Sequence, residues 1–230
     1  MNLGTIVLAT LPFLPSEEST LTTRNSNPFN LYAQATSNQI AEDLTTRLME
    51  EADSILKNNP KNYVAAIPLY QRIIAEDSDL KEEAIEKLGN LYFNRIFEKK
   101  SADPWIIRTG LNFYDSVIDN HKESEYLPKA KLYSGFIRVY FMEQDDEKRQ
   151  GFELMKEAYK SAKSKKHSAT RFEAAWFLGR IGFEYTMVGM DFITPKETIG
   201  YLKYVKKRAS KDPYINQIDT MIQKLEKNLR

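Results

Sequence analysis

Few side chains in this 230-residue sequence can do chemistry. Cysteine is absent, which excludes disulfides, thiolate metal sites, a cysteine nucleophile and a lipid anchor on cysteine. The two histidines, His121 and His167, each fall near the end of an expected helix and far apart in sequence. A histidine metal site or a Ser-His-Asp triad is therefore hard to assemble. No glycine loop has the spacing that cradles phosphate. The cluster Asp145-Asp146-Glu147 falls at an expected helix start, where the helix dipole favours acidic residues without any catalytic role. The sequence thus predicts no catalytic residue, no metal and no cofactor. What remains is binding.

Two basic runs are candidates for it. Lys160, Lys163, Lys165, Lys166 and His167 form the first; Lys203, Lys206, Lys207, Arg208 and Lys211 form the second. They read either as solvated faces with favourable charge at helix C-termini, or as a surface for an acidic protein partner. Nucleic acid is not expected, because the net charge is +1 and no stacking aromatic motif accompanies the lysines. The charge is unevenly placed. Residues 1–147 carry 15 Lys+Arg against 23 Asp+Glu, and residues 148–230 carry 18 against 9. In a stacked fold this sets an acidic portion apart from a basic one, and predicts an acidic partner at the C-terminal end or head-to-tail self-association.

No run of 18 apolar residues occurs, so no transmembrane segment is expected. Met1 to Leu14 is apolar and resembles a secretory signal, but the first basic residue is Arg24 and the cleavage-like Ala33-Gln34-Ala35 lies far from it. A non-targeting extension in a cytoplasmic protein is favoured over export, and the compartment stays open.

The elements that must position any binding surface are helices. A hydrophobic content of 42% suffices for a core, and only 9 glycines and 9 prolines disfavour an all-β fold. Residues 1–36 read as a partly apolar, loosely ordered extension, and 37–230 as one helical domain. Ser37 reads as an N-cap, with Ile40, Leu44, Leu48, Ala52 and Leu56 on one face. Asp103-Pro104, Leu127-Pro128, Thr194-Pro195 and Asp212-Pro213 each mark a helix start, and Thr194 with Glu197 forms a capping box. The expected helices are 37–58, 62–76, 79–98, 104–120, 126–142, 146–163, 169–188, 195–210 and 213–228. No strand pattern of useful length occurs. The apolar connector Tyr185 to Ile193 is expected to pack beneath the last helix pair, or to serve as a partner patch if exposed.

Gly89, Gly135 and Gly179 sit inside three of these helices, 46 and 44 residues apart. A mid-helix glycine costs about 1 kcal/mol relative to alanine, so recurrence implies a repeated close approach. The alternate helices carry a slim, a bulky and an apolar residue at fixed spacing. The triplets are Ala66/Tyr70/Ile73, Gly110/Tyr114/Val117, Gly151/Met155/Ala158 and Thr198/Leu202/Val205.

This pattern resembles the tetratricopeptide repeat and its longer helical-repeat relatives, best at Leu88-Gly89 with Tyr92. The resemblance covers residues 37–228. It implies an all-α, right-handed stack of about four antiparallel helix pairs, whose first helices line a concave groove for extended peptides. The lining set implied is Glu86, Asn90 and Asn94; Lys129, Leu132, Phe136 and Tyr140; and Trp176, Arg180, Phe183 and Glu184. Asn90 follows Gly89 as a peptide-clamping asparagine does in some members, but Glu86 stands where that clamp needs lysine, so a carboxylate clamp is rejected. The remaining readings are an aromatic groove for an apolar or mixed peptide, or aromatics that only pack between repeats. The expected function is a non-enzymatic scaffold or adaptor within a protein assembly. The alternative is a chaperone-like or export-linked peptide binder.

Overall fold

The computed structural model describes residues 28–76, 78–98, 103–209 and 215–229. Among the described residues there are nine helices and no strand: α1 (Pro28–Asn58), α2 (Tyr63–Ala75), α3 (Lys81–Glu98), α4 (Pro104–Asn120), α5 (Leu127–Phe141), α6 (Asp145–Ser161), α7 (Ser168–Met187), α8 (Pro195–Arg208) and α9 (Ile215–Asn228). The chain divides into Met1–Gln39 and Ile40–Arg230, and α2 to α9 all lie in the second unit. There, helices pack mainly on their neighbours in sequence, α5 on α6 most closely. The all-α stack is therefore as expected.

One element differs. Ser37 does not cap the first helix; it lies inside α1, which begins at Pro28. The sequence Asn27-Pro28 carries the same proline-at-the-start signal as the later helices. Phe29, Leu31, Tyr32, Ala33 and Ala35 follow it, but the Ser, Thr, Asn and Pro content of residues 15–36 points to an extension there. The apolar stretch Met1 to Leu14, and the Asp212-Pro213 start, lie outside the described residues.

Caps define the other starts. Asp103 accepts a hydrogen bond from the Trp105 backbone N–H at 2.9 Å. Both halves of the Thr194–Glu197 box form. Ahead of α5, Tyr126 makes no side-chain cap; the Glu82 carboxylate reaches across from α3 to accept from the Ser124 hydroxyl at 2.8 Å and the Glu125 N–H at 3.2 Å.

The repeat shows as one recurring contact. In the α5–α6 and α7–α8 pairs, the bulky residue of the second helix meets the glycine of the first; at Gly89 of α3 the missing Cβ instead makes room for the Tyr126 ring. Tyr114 donates to the Gly89 carbonyl at 2.7 Å. A Cβ added at Gly135 would lie 2.8 Å from Met155 Cγ, and one at Gly179 would lie 2.8 Å from Leu202 Cδ2. Tyr114, Met155 and Leu202 are all fully buried. Two further small residues tighten these pairs: Gly151 opposes Gly135, and Gly182 opposes Thr198. A polar cross-tie accompanies the packing. Arg138, only 8% exposed, donates to Asp115 of α4 at 2.6 Å and also pairs with Glu147 of α6. Ser134, in the slot where the repeat pattern has leucine, donates to the same Asp115 at 2.7 Å. A partly buried arginine held by two carboxylates joins three helices.

These contacts predict opposite effects for two glycines. At Gly135 a Cβ would fall 2.5 Å from the Gly151 carbonyl oxygen, a backbone atom that moves only if α6 moves. Gly135→Ala should cost about 1–3 kcal/mol by overpacking. At Gly200, exposed on α8, a Cβ meets nothing within 4 Å. Gly200→Ala should gain up to about 1 kcal/mol from helix propensity. Denaturant melts of both variants measure the two signs.

Candidate functional site

A recess of about 830 Å³ lies between α7, α8 and α9. Its origin is local. Gly179 and Gly182 draw α8 tightly onto α7, through Leu202 and Thr198. The α9 helix packs on α8 through Ile218, Met221, Ile222 and Leu225, and touches α7 only lightly. The α7 face turned to α9 is therefore left partly uncovered. From α7, Phe172, Trp176 and Phe183 form an aromatic wall, with Arg180 and Glu184 at its edge. Val205 and Ala209 of α8, and Ile218 and Met221 of α9, supply apolar surface opposite, and Lys224 lines the α9 side. The Asn228 side-chain amide, 3.7 Å from Met187 Sδ, links α7 to α9 just beyond Glu184 and Lys224. The Arg180 guanidinium lies 3.3 Å from Glu184, so these two charges balance.

Of the residues expected to line a groove, Trp176, Arg180, Phe183 and Glu184 meet in this recess. Tyr140 lies beside them: its phenol is pushed up to about 12, first by burial and then by the Glu184 carboxylate, with Arg180 opposing. Leu132 is fully buried and lines no surface, and Phe136 is only 7% exposed. Phe136 instead packs between repeats, with ring centroids 4.4 Å from Phe97, 4.3 Å from Tyr140 and 4.7 Å from Phe177. The resemblance implies a groove position for Leu132 and Phe136, with packing between repeats as the alternative, and Phe136 takes the second, against Phe97 of α3 and Phe177 of α7. This ring cluster reaches the surface at Phe97 and Tyr140.

Asn90 and Lys129 meet elsewhere. The Lys129 ammonium donates to Asn90 at 2.9 Å and stands over the Tyr126 and Tyr133 rings, at 5.7 and 5.8 Å. They adjoin a smaller hollow of about 450 Å³ whose wall includes Glu82, Glu86, Glu125, Lys166 and His167. Its charges are largely paired within the chain: Glu82 caps α5, Glu83 pairs with Lys87 at 3.0 Å, and Glu125 pairs with Lys166. His121, close enough to Glu82 to feel its charge, comes to the same end of the bundle as His167. The turns before α5 and α7 bring them there, which sequence distance hid. Asn94 is exposed on α3.

No protein-family model matches the chain, and comparison with curated proteins and with solved structures returns no match. Among the described residues no helix is long and apolar enough to cross a membrane.

The basic candidates divide. Lys163, Lys165 and Lys207 are exposed, and Arg208 lies over the Tyr204 ring at 3.9 Å. Lys206 pairs with Asp219 at 2.5 Å and Lys203 with Glu226 at 3.2 Å, so these lysines fasten α9 to α8. The connector after α7 does two things. Phe192 and Ile193 are buried, and Tyr185 donates to the Val139 carbonyl at 3.1 Å; Met187, Val188 and Met190 are exposed. Sequence reasoning missed α9 as a groove wall. The signal was present in Ile218, Met221, Ile222 and Leu225 at helical spacing, but α9 has no glycine to align.

Beneath Lys129, Glu173 of α7 is held above the ordinary carboxylate range, because burial outweighs the opposing Lys129 charge and Tyr133 hydroxyl. As pH rises, the unfolded chain releases this proton before the folded one does. The native state therefore loses stability relative to the unfolded state through that window. Glu173→Gln removes the effect. As pH rises from about 4, the wild type should lose stability relative to Glu173→Gln, and denaturant midpoints at each pH measure the difference.

Proposed function

We propose that this chain is a non-enzymatic protein-interaction module of the tetratricopeptide-like helical-repeat type, acting as an adaptor that takes an apolar segment of a partner protein. The observation that carries the reading is the recess between α7, α8 and α9, with Trp176 and Phe183 on one wall and Ile218 and Met221 on the other. Aromatic side chains in a partly enclosed apolar recess are the type of residue on which binding energy concentrates. A wall made only of helices offers side chains and no sheet edge, so the fitting mode is side-chain anchoring in a groove. The exposed aromatic edge at Phe97, Tyr140 and Phe141 provides a second apolar surface, as an adaptor requires.

A displayed library of random peptides of about 18 residues, selected on the full chain, tests this. Selected binders should lose about tenfold or more in affinity for Trp176→Ala, a loss of the hot-spot class. They should keep full affinity for Trp105→Ala, whose indole is exposed on α4. Binders indifferent to Trp176 would remove the groove from the reading.

A further inference from the structure

We infer that the segment received by this groove is acidic: an amphipathic helix with bulky apolar residues on one face and carboxylates flanking them. The inference rests on the groove being a protein-binding site, and adds the chemistry of its occupant.

The argument is a charge account of the two helices that form one side of the groove. α8 and α9 carry three carboxylates, and all are engaged. Glu197 closes the α8 capping box and lies 3.3 Å from Lys156; Asp219 is held by Lys206 at 2.5 Å; Glu226 is held by Lys203 at 3.2 Å. The same two helices also carry Lys196, Lys207, Arg208, Lys224 and Lys227, all exposed and none within ion-pair distance of a carboxylate among the described residues. On the α7 wall, Arg180 and Glu184 cancel. Of these, Lys224 lines the groove, so the uncompensated charge in its lining is positive. Exposed charges act over about 8 Å at physiological ionic strength, which spans a groove edge. Such an edge favours carboxylates beside the anchors and disfavours a basic segment.

The shape supports a helix. The α7 wall runs from Phe172 to Glu184, roughly 18 Å at the helical rise, which matches a ligand helix of about three turns. A helix satisfies its own backbone, and this groove offers mainly side chains in return. An anionic membrane has the same charge and apolar character, but Trp176 and Phe183 line a recess between helices, and a flat surface meets only its rim.

The test reads the composition of what binds. Peptides from the library selected on the full chain, and retained only if they depend on Trp176, should be net negative with apolar residues three and four apart. Replacing every Asp and Glu of such a binder by Lys should weaken it about tenfold or more at low salt, and raising the salt should narrow that gap. Lys224→Glu alters one exposed residue of the groove lining and should leave the melt unchanged while removing the preference. A Trp176-dependent pool that is neutral or basic would overturn the acidic assignment and leave the groove reading standing. A library that yields no Trp176-dependent binder would overturn both. In a Trp105→Phe background, a shift of Trp176 fluorescence with phosphatidylserine-containing vesicles, but with no selected peptide, would replace the acidic helix with a lipid surface.

Discussion

The distance between paired helices depends on a bulky side chain seated against a glycine. Met155 against Gly135 and Leu202 against Gly179 are two instances of one contact, and at Gly89 the Tyr126 ring takes the space of the missing Cβ while Tyr114 donates to its carbonyl. Apolar burial supplies the attraction, and the missing Cβ lets the backbones approach until it is complete. Each glycine gives up some helix propensity for that approach, a local cost offset by the packing it permits. The polar tie of Arg138 to Asp115 and Glu147 follows from the same spacing, because helices this close bring α4 and α6 within reach of one guanidinium.

The groove is what remains where this contact is absent. Gly179 and Gly182 of α7 face α8, and no contact of this kind joins α9 to α7 among the described residues. α9 is held instead to α8, through a compact apolar cluster and the Lys206–Asp219 and Lys203–Glu226 pairs. The α7 aromatics that a further close helix would cover are left facing a recess. The basic residues of α8 and α9 thus have two roles: Lys203 and Lys206 fasten the wall, and Lys224 sets the charge of the lining.

Much of the fold was legible in the sequence because its signals are local. Proline at helix starts, the Thr194–Glu197 box and the glycine spacing each report a short-range need, and the starts of α2 to α8 agree with the expected bounds to within a few residues. The helical residues before Ser37 escaped because the Ser, Thr, Asn and Pro content of that stretch reads as an extension. The site was less legible. Helical position gave Trp176, Arg180, Phe183 and Glu184 correctly as neighbours, since they share one face of one helix. It gave no account of what covers a face, so it left open whether Phe136 lines a groove or packs between repeats; in the structure Phe136 packs against Phe97 of α3 and Phe177 of α7. Pairing was equally hidden: Lys166 and Lys206 look free in sequence and are matched in space by Glu125 and Asp219.

Packing that runs from neighbour to neighbour also has a dynamic consequence. A helix within the bundle is held from two sides, whereas α9 is held by α8 and only lightly by α7. Local opening free energies follow such differences in contact, so α9 is the element that detaches at lowest cost. The groove then exists only in the fraction of molecules with α9 docked, and apparent affinity scales with that fraction. A ligand seated against Ile218 and Met221 would in turn hold α9 in place, coupling occupancy of the recess to the integrity of the last helix.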